Sequence, residues 1–420
     1  MSTEARRAGR RDFAGLWASY GLSNLGDGLV VIMLPLTALT LTSSPGLVAG
    51  VRWAQTMPYV LCTLAIGVLI DRVERSRLIR WAHLARVVAL VLLALALAGE
   101  VAPLVTLYTV AFLLGTAELV ADLGTTAVLP MMVARDRLDG ANSRLESTRS
   151  SLNEFVGPPL GGLLVAVGAV FATLSAAGLY LVAAGAMLLL RRRYDPRPGA
   201  ATAPAAKPRI RDELTEGLRY LRGHRLLRNL ALMVCVMAAA WSGWSAVLVL
   251  YAVSPGPMGL SGTAYGLLLT ALALGGVLGS LMAGPIRRAL GTRNLLAVDV
   301  VTGVVMLATP VFTTQPWLVG AATFLGGVGS GLWNVTVVTL RQQLVPDELL
   351  GRVSSASRLI GWGGMPLGAA VAGVLAQTVG PRPVFALGAL ACAALLIPFL
   401  RVIREDAIRA AVASRATRDE

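Results

Sequence analysis

The chain is poor in charge. Only 14% of its 420 residues are Asp, Glu, Lys or Arg, against roughly 25% in a soluble domain. It holds three cysteines and two histidines. Cys62, Cys235 and Cys392 lie inside apolar runs, without CxxC or Cys/His metal spacing. His83 and His224 have no second ligand nearby in the sequence, so no metal site is expected. A P-loop, a Gly-x-Ser-x-Gly elbow and an ATP-binding domain are all missing, which excludes the usual enzyme signatures. No cofactor is expected. One residue is lysine, Lys207; the rest of the 37 basic side chains are arginine.

What fills the chain is apolar. Hydrophobic residues make up 55%, there are 45 glycines, and mean hydropathy is +0.69. Glycine is frequent in membrane helices because it lets backbones approach. Twelve apolar runs are long enough to cross a bilayer, at about 20 residues each. They cover 14–41, 47–70, 79–98, 103–133, 142–167, 170–190, 227–252, 262–286, 294–312, 317–344, 352–377 and 383–402. The expected fold is an all-α membrane protein. Its twelve transmembrane helices would form two pseudo-symmetric six-helix halves around a central cavity.

The net charge of +14 would suggest nucleic acid on a soluble chain. Here the arginines fall in alternate loops, which reads as topology rather than nucleic-acid binding. They precede the first span, follow the second and fourth, and crowd 191–228, whereas the opposite loops hold only Arg382. Both termini are therefore expected in the cytoplasm, in a multi-pass protein of the plasma membrane. The polar start "MSTEARRAGRRDF" has no A-x-A site after the first apolar run, so the first span reads as uncleaved. Trp17, Trp81 and Trp317 near span ends suit either interfacial anchoring or packing.

The expected division is an N-terminal half 1–190, a linker 191–226, a C-terminal half 227–402 and a cytoplasmic tail 403–420. In the linker, "IRDELTEGLRYLRGHRLLRN" spaces Ile210, Leu214, Leu218 and Leu221 as an amphipathic helix expected on the membrane surface. "GVLIDRVERSRL" and "GPIRRALGTRNL" occupy matching places in the two halves, as do "PPLGG" and "MPLGA". That pattern suggests a parallel duplication.

Nearly the whole chain resembles the major facilitator superfamily, and most closely its bacterial drug, macrolide and siderophore exporters. Gly67, Asp71, Arg72, Arg75 and Arg77 match the family's loop signature, with Glu74 where a second Gly is usual. "FVGPPLGGLL" is similar to the span 5 signature of the family's antiporters, with Asn153 in place of the Gly four residues before Gly157. The span 4 arginine of many drug–proton antiporters has no counterpart in "GTAELVADLGT". The resemblance implies a secondary transporter that exports amphipathic small molecules in exchange for protons by alternating access. A metabolite importer of the same fold and a lipid-moving protein remain alternatives.

Candidate residues follow from chemistry. A mid-membrane carboxylate costs about 2.5–3.5 kcal/mol on insertion scales and is functional by default. Asp27, Glu118, Asp122 and Glu154 are such groups, all in the N-terminal half. They are the proton-coupling candidates, with sodium an alternative ion. Glu118 and Asp122 are four apart and share a helix face. Replacing Asp27 by Asn is expected to abolish proton-driven transport and leave insertion intact. Asp71, Arg72 and Arg75 could form a conformational latch or an ordinary topology-setting loop. Gly157, Pro158, Gly161 and Gly162 suit a hinge or tight packing. Trp241, Trp244, Trp333 and Asn334 are the candidates for a substrate cavity. Asp299 and Arg358, nearer their span ends, are expected to snorkel. The expected partners are a small-molecule substrate, a proton and the lipid bilayer, and the expected state is a monomer.

Overall fold

In the computed structural model, residues 3–70, 72–101, 103–133, 138–190, 194, 210–403, 405 and 406 are described, and they are helical almost throughout. Helix α1 (Thr3–Leu41) is followed by α2 (Pro45–Leu61) and α3 (Thr63–Ile70). Next come α4 (Arg75–Ala98), α5 (Leu104–Met132) and α6 (Leu138–Arg149). A π-helical segment (Ser150–Val156) runs directly into α7 (Gly157–Val167), and α8 (Ala169–Ala186) follows. The later helices are α9 (Ile210–Gly223), α10 (Arg225–Ala252), α11 (Gly262–Phe312), α12 (Pro316–Leu344), α13 (Asp347–Val379), α14 (Pro381–Ala394) and α15 (Leu396–Val402). Among the described residues, nine helices are long and apolar enough to cross a membrane.

The expected spans map onto these helices with local breaks. Span 2 divides at Cys62, between α2 and α3. Span 5 is assembled from α6, the π-segment and α7. Spans 8 and 9 run together as α11, broken at Gly291, where φ is +80° and a side chain would be strained. Gly380, at φ +88°, makes the comparable turn between α13 and α14. Trp81 and Trp317 are exposed, so packing does not account for them.

Contacts divide the chain into two compact units. The first holds Met1–Ser43, Ala54–Lys207 and Ser261–Thr270; the second holds Ser44–Trp53, Pro208–Leu260 and Ala271–Glu420. In the first unit, α1 packs closely on α7 through glycine. A Cβ built on Gly157 would stand 2.6 Å from Gly28 Cα, and one built on Gly28 would collide with the Asn153 carbonyl. Asn153 Nδ2 also faces Asn24 Oδ1 at 3.4 Å.

In the second unit, Gly364 and Gly368 of α13 leave room for the Cys235 and Ala239 carbonyls of α10. Ser44 donates to Gln377 Oε1 at 2.6 Å, and the Gly46 amide donates to the same oxygen at 3.1 Å. Helix α9 packs on α13. Of the expected apolar positions, the side chains of Leu218 and Leu221 are described, and Leu218 is exposed. Leu221 is buried, a Cβ on Gly217 would strike the Arg352 carbonyl, Glu216 pairs with Arg352, and the Tyr220 hydroxyl donates to Leu344 O at 3.1 Å.

Candidate functional site

The stretch "SNLGDG" on α1 presents different residues to different neighbours. Gly26 leaves the space that the Tyr180 ring of α8 fills; a Cβ there would lie 2.9 Å from the ring. Gly28 faces the π-segment and α7. Between them Asp27 turns toward α4 and α8. Its Oδ1 accepts from the Tyr180 hydroxyl at 2.7 Å and faces Arg86 Nη1 at 3.1 Å. Arg86 Nη1 also donates to Ser23 Oγ at 2.8 Å. The guanidinium carbon stands 4.7 Å from the Tyr180 ring centroid, within cation–π range.

Arg86 is 1% exposed and Asp27 is 9% exposed. Such a pair is stable only when its geometry and remaining hydrogen bonds offset desolvation. The carboxylate is well supplied. The guanidinium is not, because Nε and Nη2 are buried without an acceptor among the described residues. Next to it, Ser19 donates to the Ala183 carbonyl at 2.8 Å and meets His83 Nε2 at 3.3 Å. Since the serine proton is committed, Nε2 carries the hydrogen of the ring. His83 Nδ1 is left as a buried lone pair without a described partner.

The acids of α5 belong to the same neighbourhood. Glu118 and Asp122 are half-buried, and their fields, with that of Asp27, act on Arg86. The Tyr59 hydroxyl of α2 hydrogen-bonds Glu118 and also stands in the fields of Asp122 and Asp27. The fold thus gathers Asp27, Glu118 and Asp122 around one buried guanidinium. Glu154 lies on the π-segment, and its side chain is outside the described residues.

Sequence reasoning missed Arg86 and Tyr180, and weighed His83 only as a metal ligand. Arg86 and His83 carried a signal: a basic side chain and an imidazole three apart inside "AHLARVVALVLL". Span 4 carries the acids but no arginine; the guanidinium that stands in their field, Arg86, comes from α4.

The other candidates are placed as follows. Asp71 is outside the described residues, and Arg72 is exposed. Arg75 donates from Nη1 to the Ala127 carbonyl at 3.2 Å and lies 2.9 Å from Met131 Sδ. Glu74 pairs with Arg77 at 3.0 Å and accepts from the Tyr194 amide at 3.4 Å. Gly157, Pro158, Gly161 and Gly162 are buried. Trp333 belongs to an apolar core, Trp244 is 1% exposed with its indole N–H unpaired among the described residues, and Trp241 and Asn334 are exposed. Asp299 is 3% exposed, so the expected snorkelling does not occur; the Arg358 side chain is outside the described residues.

Residues 8–416 match the family model described as transmembrane secretion effector. The chain belongs to the major facilitator superfamily. It is a multi-pass membrane transporter whose relatives include efflux proteins. It is 27% identical to the multidrug efflux pump Tap of Mycolicibacterium fortuitum, over 86% of this chain and 88% of that one. It is 28% identical to the enterobactin exporter EntS of Citrobacter koseri, over 88% of this chain and 86% of that one. Among solved structures, the nucleoside transporter NupG shares the fold, with a TM-score of 0.71 at 13% identity, covering 94% of this transporter and 99% of that chain.

Proposed function

We propose that this transporter exports amphipathic small molecules in exchange for protons by alternating access. It would act as a monomer in the plasma membrane, with both termini in the cytoplasm. The observation that carries the coupling half is Arg86, which stands in the field of three carboxylates with two donor nitrogens unpaired among the described residues. One guanidinium neutralises one carboxylate. A proton arriving on Asp27 would strip Arg86 of its counter-ion, and a buried cation without one is expensive. Arg86 would then turn its free N–H groups toward Glu118 or Asp122, and the two packings would differ in charge placement. Proton binding would thereby bias one packing over the other.

The export half is supported by the relatives Tap and EntS and by the mostly apolar mid-span positions of the C-terminal half. The test is uptake of a panel of amphipathic compounds into inside-out vesicles, with the pH gradient collapsed in parallel. Uptake should need the gradient and should lose that dependence in Glu118→Gln and Asp122→Asn. Uptake indifferent to the gradient overturns proton exchange. Transport of the panel only in right-side-out vesicles overturns export.

A further inference from the structure

One buried acid takes no part in the cluster around Arg86. Asp299 lies in the second unit, on the limb of α11 that follows Gly291, and is 3% exposed. No ion pair or side-chain hydrogen bond to its carboxylate exists among the described residues; the Thr302 hydroxyl bonds its main-chain carbonyl instead, at 3.2 Å. Its surroundings are apolar or small. Leu295, Leu296 and Val300 beside it on the helix are buried.

Across the interface α12 offers Gly329. A Cβ there would stand 2.8 Å from Asp299 Cα and 3.0 Å from its Oδ1, and would collide with Thr302 Oγ1. From α14, the buried Cys392 thiol is a titratable group that lies in the field of Asp299. No cationic side chain is described in contact with it. Among the described residues no group of three or more His, Cys, Asp or Glu side chains that could hold a metal ion is found.

An ionised carboxylate without donors, buried among apolar neighbours, is the costliest form of this side chain. The neutral acid has no such penalty. We propose that Asp299 is a second proton-binding site, in the second unit, which holds its proton while α12 is packed against it through Gly329 and releases it when that contact opens to water. The site is independent of the cluster at Asp27, and the inference does not rest on the direction of transport.

Infrared spectroscopy of the full-length protein in lipid nanodiscs tests it. A protonated carboxylic acid has a C=O stretch separate from the carboxylate bands and shifted by deuterium exchange. The wild type should show such a band in neutral buffer. The band should lose one carboxyl's intensity in Asp299→Asn and keep it in Asp27→Asn. An unchanged band in folded Asp299→Asn overturns the proposal. Should that variant fail to fold, the wild type is treated with a hydrophobic carbodiimide, which attacks protonated carboxyls. An adduct on Asp299 supports the site, and adducts confined to other acids overturn it. This readout is separate from transport, so its failure leaves the export reading untouched.

Discussion

Asp27 and Arg86 meet at 3.1 Å, with the guanidinium 1% exposed and the Tyr180 ring packed beside it. The arginine therefore depends on the acid for its charge balance. Removing one member of a buried pair costs about 3–5 kcal/mol, whereas replacing both is often neutral. Asp27→Asn should lower the thermal unfolding midpoint in detergent, and Asp27→Asn with Arg86→Gln should restore most of the loss. Equal midpoints for the single and double variants would show that the pair carries no such dependence.

The Gly28–Gly157 contact makes a second prediction. Each residue lies where a Cβ on its partner would fall inside backbone. Gly28→Ala and Gly157→Ala should each lower stability by about 1–3 kcal/mol through overpacking. Because both force the same two helices apart, the double variant should fall short of the sum. Unfolding curves for the four proteins measure this.

Docking of α9 on α13 is open to a separate check. Gly217→Val should undock the helix, because its new side chain would enter the Arg352 carbonyl. Hydrogen exchange over 215–223 should then rise while α10 stays protected. Unchanged exchange would mean that α9 is held by something other than this face.

His224 gives a pH prediction outside the spans. Its Nδ1 accepts from the Leu227 amide at 3.3 Å and caps α10. Burial pushes the imidazole below its ordinary pKa. A group with a depressed folded pKa contributes stability that is fully present above the unfolded value near 6.5 and is lost as pH falls through the folded value. A cap of this kind contributes on the order of 1 kcal/mol. The Leu227 amide should therefore exchange faster, relative to uncapped amides, as buffer is acidified, and His224→Asn should remove that acid sensitivity.

The membrane helices were legible because lipid solubility imposes long apolar runs, and Asp27, Glu118 and Asp122 stood out because charge is costly there. Their convergence was not legible. Spacing on one helix says that Glu118 and Asp122 share a face, but nothing in the sequence says that α4 turns Arg86 toward Asp27. Tyr180 reads as any buried aromatic until Gly26 is seen to make way for it. Asp299 looked relieved by its position near a span end, and only the packing of Gly329 shows that it is sealed. The break at Gly291 and the π-segment depend on local backbone choices that composition does not record.

The π-segment has a consequence for chain length. Its i→i+5 bonding accommodates one residue more per turn than an α-helix does. Upstream, Thr148 meets the Trp17 indole at 2.7 Å; downstream, Asn153 and Gly157 meet Gly28. Deleting a single residue between 150 and 156 would unwind the surplus and rotate one of these faces by about 100° against the other. Both contacts are made to the same helix, α1, so both cannot survive that twist. The phase of this stretch is as constrained as its composition, and single-residue deletions there should be tolerated far less well than substitutions.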